Sequence, residues 1–267
     1  MTMPPDEARP PLGDDPSARA AGKEVRVVRV LTLVDASRHS LAALAAAVDL
    51  AAARHAELVA LFVEDQELVS SAGFPFAREI GAVSGRARRL SREELVAGQA
   101  RQARRVTEAL EAAVAGLELR HELRVSRGGI VSEAQALAGP GDVLMLGKAG
   151  FSGHWGVRLG STSRALMREA PCTVIIWDER LPLAHGPLRT LAEGDAQAHS
   201  LLEIPEALAR LFEGVEVLEA GDARELEQRL RRVTSGALLL HRPRLARLAE
   251  EDPDLLARLP IPVIVVP

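Results

Sequence analysis

Short runs of β-branched and aliphatic residues alternate with helical segments along most of this chain, and that alternation limits the fold more than any other feature. "VRVVRVLTLVD" reads as a buried strand ending at Asp35. A helix follows over about Ser37–His55, with Leu41, Leu44, Ala45 and Val48 on one face at the i, i+3, i+4, i+7 spacing of a helical stripe. "ELVALFV" is a second strand, ending at Val63. A long excursion then leads to a helix from Ser91, where "SREE" offers a capping box. Val106, Leu110, Ala113, Val114 and Leu117 form its apolar stripe. "ELRHELRVS" is a third strand, a short helix lies near Ser132, and "DVLMLG" is a fourth strand. A helix over about Ser161–Glu169 and the strand "CTVIIW" complete the pattern. Strands joined in this way need crossover connections, so the class is α/β with a mainly parallel, open sheet. Ligands of such sheets sit beyond the carboxyl ends of the strands, where the strand order reverses. For an order 3-2-1-4-5 the reversal falls between the first and fourth strands, which end at Asp35 and Gly147.

Directly after the fourth strand comes "GKAGFSGHWGVRLGSTS", with glycines at 147, 150, 153, 156 and 160. Glycine weakens regular elements, so such a cluster marks an unusual turn or a close-approaching ligand. No Gly-Lys-Ser/Thr closes the loop, which excludes a Walker pattern, and it does not follow the first strand as a dinucleotide fingerprint would. The next helix opens at Gly160-Ser161-Thr162. Its free amides and positive end point into the loop, a seat for phosphate, with Lys148 and Arg158 as further charge. Taken alone, the loop reads as readily as a surface connection.

Composition removes several classes. Aromatics are 3% of the 267 residues, with no tyrosine, which leaves little for base stacking. A net charge of −4 argues against a nucleic-acid binder. A single cysteine excludes an intrachain disulfide and a cysteine-rich zinc site. The most apolar helix is too short for a membrane span and carries Asp49 and Arg54. The leader "MTMPPDEARPPLGDD" lacks the basic start and apolar core of a signal peptide. Residues 1–23 read as disordered and the location as cytoplasmic.

Gly147-x-x-Gly150, nine residues, then Gly160-Ser161 resembles the G-2x-G-9x-G-[S/T] pattern of the ATP-binding branch of the universal stress protein family. "LTLVDASRHS" is similar to that family's first strand and acidic turn, V-D-x-S-x-x-S, although Ala36 stands where glycine is common. "LVALFVED" resembles its second strand, and "EAPCTVIIW" its Ala-Pro-Cys-Pro-Val ending. The resemblance spans about residues 25–178 and implies the 3-2-1-4-5 sheet of the adenine nucleotide alpha hydrolase-like class. It also implies a nucleotide site. Asp35 would contact the adenosine portion, and Val63 the adenine through its backbone. Gly147 and Gly150 would let backbone approach the ribose and phosphates, and Gly160, Ser161 and Thr162 would bind phosphates. ATP would bring Mg²⁺, for which the sequence offers no dedicated carboxylate cluster.

The remaining chain is too long for a tail. "GPLRTLA" reads as a weak strand, "AHSLLEIPEALARLF" as a helix, "VEVLEA" as a strand and "ARELEQRLRRV" as a helix. "GALLLHRP" and "IPVIVVP" are strands with a helical stretch between them, and they parallel "GDVLMLGK" and "CTVIIW". Residues 186–267 thus look like a shortened second domain beside 24–178. After Gly236 it has no glycine, so it reads as degenerate and without nucleotide. Family members commonly dimerise through their fifth strands, and tandem members do so within one chain. Ile261–Val266 is therefore expected antiparallel to Thr173–Trp177, covering both edges, with the outer surfaces still free to form a homodimer.

Cys172 reads as a small core residue. The arginines at 86, 88, 89, 92, 101, 104 and 105 read as a solvated helix face, with contact to a partner or an anionic surface as the lesser reading. The segment 70–92, with Phe74 and Phe76, reads equally as a lid or as a docking element. His154 reads as a loop residue, and no catalytic set emerges. The expectation is an ATP-binding regulator with an unknown protein partner. The rivals are a stress-type scaffold that binds no nucleotide and a slow ATPase or phosphotransferase.

Overall fold

The computed structural model describes residues 29–81, 84–148, 159–177, 186–192 and 210–267. The leader 1–23, Gly150, His154, Arg158 and most of the helix expected around 198–212 lie outside them.

β1 (Arg29–Leu33), β2 (Glu57–Asp65), β5 (His121–Gly128), β6 (Val143–Gly147) and β7 (Thr173–Trp177) build the first part of the sheet. They lie in the order β5-β2-β1-β6-β7 with every neighbour parallel. This is the expected 3-2-1-4-5 arrangement. Alternation along each strand sends successive residues to opposite faces, and the two cores follow that parity. Val30 and Leu58 belong to one, Leu31 and Val59 to the other. α1 (Arg38–Arg54) and α3 (Arg92–Val114) cover the first face. α4 (Ile130–Leu137) and α5 (Ser161–Glu169) cover the second. At the junction of β1 and β6 the chain therefore leaves toward opposite faces, which opens a crevice at their carboxyl ends.

Local chemistry sets the helix ends. Ser37 caps α1 by accepting from the Ser40 amide at 3.3 Å, and Ser91 caps α3 by accepting from the Glu94 amide at 3.3 Å. The "SREE" box is only half closed, because the Glu94 carboxylate turns to Arg88 at 3.2 Å. The stripe on α3 also ends sooner than its spacing suggests. The helix stops at Val114, Gly116 takes φ +78°, and Leu117 is exposed. β2 runs two residues past Val63, to Asp65, whose carboxylate caps α2 (Gln66–Ser71). Between α2 and α3 a separate hairpin pairs β3 (Arg78–Ile80) with β4 (Ala87–Arg89). Cys172 is fully buried, and desolvation pushes its thiol up to about 11.

The sheet does not end at β7. β8 (Leu188–Leu191), β9 (Val215–Leu218), β10 (Ala237–His241) and β11 (Val263–Val266) extend it to nine strands, continuing β7-β11-β10-β8-β9. Pairing is parallel within this group. Among the described strands of this sheet, only β11 against β7 is antiparallel, with Val263 opposite Ile176 and Val265 opposite Val174. Outward from that pair, each half places its penultimate strand next and its first strand after it. α6 (Ala223–Leu230), α7 (Arg242–Glu251) and α8 (Leu255–Arg258) lie on the face that carries α4 and α5, sharing one core with them.

Polar contacts fasten the junction. Arg242 donates to the carbonyls of Met167 and Cys172 at 3.2 and 2.8 Å, and also to Ala170, thereby closing the carboxyl end of α5. Arg164 pairs with Asp254 at 2.5 Å. Lys148 donates its buried Nζ to the Leu259 carbonyl.

A chain ending at Trp177 would bare β7, an uncharged strand buried along its whole length and so prone to pair with another copy. Size-exclusion chromatography with light scattering should find this fragment dimeric or aggregated. A fragment that stays monomeric at high concentration would mean that residues 186–267 are not needed to cover the edge.

Candidate functional site

A cleft of about 220 Å³ opens at the carboxyl ends of β1, β2 and β6. Asp35, Val63, Gly147, Gly160 and Thr162, five of the seven residues expected at the site, line it together. Ser161 is the first residue of α5 but is not in the wall, and Gly150 lies outside the described residues. Lys148 does not face the cleft; its ammonium is taken by Leu259.

The turn after β1 is built by its own polar groups. Asp35 Oδ1 accepts from the Ser37 amide at 2.9 Å, and the Asp35 amide donates to Ser40 Oγ at 3.2 Å. Ser40 Oγ in turn donates to the Ser37 carbonyl at 3.1 Å. Desolvation by the cleft walls pushes the Asp35 carboxyl up, but the hydroxyls of Ser37 and Ser40 and the Ser37 amide outweigh it. The group is held below the ordinary carboxylate range and is ionised at neutral pH. Ala36 occupies left-handed backbone, φ +61°, where a Cβ is strained. That explains why a glycine suits the position.

Val63 contributes backbone. The β1–β2 ladder reaches Leu33 opposite Leu61, and the Val34 amide then donates to the Leu61 carbonyl at 2.9 Å. Backbone groups of alternate strand residues point to the same neighbour, so those of Val63 face the same side as Leu61, beyond the end of β1. An amide and a carbonyl there form an edge-on donor and acceptor pair.

Helix α5 supplies positive potential. The N-cap side chains of α1, α2, α3 and α6 accept from their own first-turn amides. α4 and α5 instead begin at Gly129 and Gly160, which have no side-chain acceptor to offer. Both helices start at the cleft, through Ile130 and through Gly160, Thr162 and Ser163. Among the described residues no N-cap side chain takes the first-turn amides of α5, and its helix dipole favours an anion at this end. A Cβ built on Gly160 meets nothing within 4 Å, so the bare position keeps space clear. Gly147 differs: a Cβ there would lie 2.4 Å from the His39 carbonyl. Its missing side chain is required by the first turn of α1.

Ser37, His39, Ser40, Ile130 and Ser163 also line the cleft. Ser37 and Ser40 are the two serines of the acidic-turn pattern, which would have pointed to them. Nothing in the sequence singles out His39 or Ile130. Among the described residues, no group of three or more His, Cys, Asp or Glu is placed to hold a metal ion, and no helix is long and apolar enough to cross a membrane.

A model of the universal stress protein family matches residues 27–177. Among solved structures, a universal stress protein from Archaeoglobus fulgidus is similar at 16% identity with a TM-score of 0.54, covering 91% of this chain and 98% of that one. The universal stress protein UspA from Lactobacillus plantarum is similar at 23% identity with a TM-score of 0.41, covering 57% of this chain and 97% of that one. No curated protein matches the sequence. The Archaeoglobus likeness is one of fold, and it spans both halves of the sheet.

Replacing Ala36 by glycine should remove the left-handed strain and raise stability by roughly 0.5–1 kcal/mol after the added freedom of the unfolded chain is subtracted. Urea unfolding measures this. A loss of stability would show that the Ala36 methyl makes contacts worth more than the strain.

Proposed function

The chain belongs to the universal stress protein family, and on that premise we propose that it is an ATP-binding regulator in the stress response. The observation that carries this reading is the glycine-capped start of α5 opening into the cleft, opposite the ionised Asp35. The donor set fits the nucleotide. The first-turn amides of Thr162 and Ser163, with the Thr162 hydroxyl, would take the phosphates. Asp35 would accept from the sugar hydroxyls, and the Val63 amide and carbonyl would meet the edge of the base. A carboxylate at the phosphate end would repel the ligand, so the place of Asp35 in the turn after β1, across the crevice from α5, separates the two charges. Magnesium would rest mainly on phosphate oxygens.

Residues 186–267 act in this reading as a degenerate partner domain. β11 stands where a second subunit's edge strand would otherwise pair. The β7–β11 ladder supports that assignment, as does the absence of glycine after Gly236. An anion in the cleft would rest against the start of α5, and α5 is tied to this half through Arg164 and Arg242.

Gly160→Asp tests the phosphate seat without threatening the fold, because aspartate is a good N-cap. Thermal unfolding should be unchanged or slightly higher. ATP affinity by calorimetry should fall at least about 100-fold, roughly 3 kcal/mol, since the new carboxylate takes the amides and repels phosphate. Unchanged affinity would make the loop a connector. Asp35→Ala should weaken ATP by about 10–100-fold, the range for a hydrogen bond to a charged group, and weaken inorganic triphosphate much less. Equal losses would leave Asp35 with the turn alone.

A further inference from the structure

The excursion between β2 and α3 forms a surface that the cleft does not explain. Phe74 and Phe76 stack with ring centroids 5.4 Å apart and planes at 11°. They are 53% and 76% exposed, and Ile80 is 71% exposed. Scattered exposed apolar residues are ordinary, but here three large ones fall within seven residues. Side chains this open stand out from the surface and do not line a groove.

The charge beside them is one-sided. Residues 78–92 contain Arg78, Arg86, Arg88, Arg89 and Arg92 against the single acid Glu79, in a chain of net charge −4. The hairpin divides these groups between its faces. On one, Arg88 is neutralised by Glu79 and Glu94. On the other, Arg78 lies directly opposite Arg89, and Ile80 opposite Ala87. Like charges across a ladder repel, and neither arginine makes an ion pair within the described residues. The arginines of α3 differ, because Arg101, Arg104 and Arg105 sit among Glu93, Glu94, Glu108 and Glu111 as a balanced solvated face. The excursion leaves the sheet at the carboxyl end of β2, on the edge that holds the cleft.

We propose that this excursion docks the protein on an anionic phospholipid surface. Phe74, Phe76 and Ile80 enter the interfacial layer, and Arg78 and Arg89 meet the headgroup phosphates. A second copy would set arginine against arginine. A protein partner would need a preformed acidic pocket shaped to the protruding rings, whereas a bilayer yields around them. The inference is independent of what the cleft binds.

The full-length protein is sedimented with phosphatidylcholine vesicles, with and without phosphatidylglycerol, at low and high salt. Binding is expected only with phosphatidylglycerol and is expected to fall as salt screens the arginines. The pairs Phe74→Ser with Phe76→Ser, and Arg78→Glu with Arg89→Glu, should each weaken it at least about tenfold. Circular dichroism should stay unchanged, because all four residues are exposed. No phosphatidylglycerol-dependent binding of the parent protein, or binding undiminished in both variants, would overturn the proposal. So would capture of an acidic protein, or self-association lost in the phenylalanine pair, without any vesicle binding.

Discussion

Every interior strand of a sheet needs two neighbours, and the structure of this protein rests on how β7 obtains its second one. β7 is uncharged and buried along its full length, so water cannot satisfy its outer backbone edge without exposing apolar side chains. β11 closes that edge, and the reversal of direction there is what lets two parallel groups share one sheet. The core on one face then runs from Leu166 and Met167 to Leu226 and Leu245 without a break. The open edges are moved to β5 and β9, at the far ends. β5 carries His121, Glu122, Arg124 and Arg127 among its exposed or half-exposed positions, a charged edge that discourages further pairing.

Much of this was legible in the residues. Outside the excursion that holds α2, β3 and β4, the strand and helix order followed from hydrophobic period, and α5 has the bounds its pattern gave, because a glycine cap and a proline-bounded end leave little freedom. The position of the cleft was legible because topology and motif agreed: β1 and β6 end where the order reverses, and Asp35 and Gly160 line the cleft there. Other features were not accessible to local reasoning. Lys148 looked like a phosphate ligand from its place beside the glycines, yet it serves a carbonyl 111 residues away. Leu117 kept the helical spacing of α3 but lies beyond the glycine turn that ends the helix. Gly147 matched a ligand motif while its immediate steric demand comes from the His39 backbone. For Lys148 and Gly147 a tertiary contact decided among readings that spacing left equal, and for Leu117 the turn at Gly116 did.

The two glycines show how one motif can hold separate constraints. Gly147 is bare because a neighbouring helix is too close, and Gly160 because nothing is there. The first position resists every side chain, and the second accepts any that the backbone allows at φ −60°, ψ 154°. Loss of ligand binding and loss of fold are therefore separable within the same short loop.

The contact of Arg242 with the Met167 and Ala170 carbonyls at the end of α5 has a kinetic side. A nine-residue helix standing alone would fray from its end and regain its first turn only intermittently. Held at its carboxyl end by a residue of the other half, α5 keeps its opening amides aligned before any anion arrives. An anion entering the cleft would then meet these amides already in place, with the entropy of aligning them met during folding and not at each encounter. The hold of the cleft on an anion would thus depend in part on an arginine that never touches it.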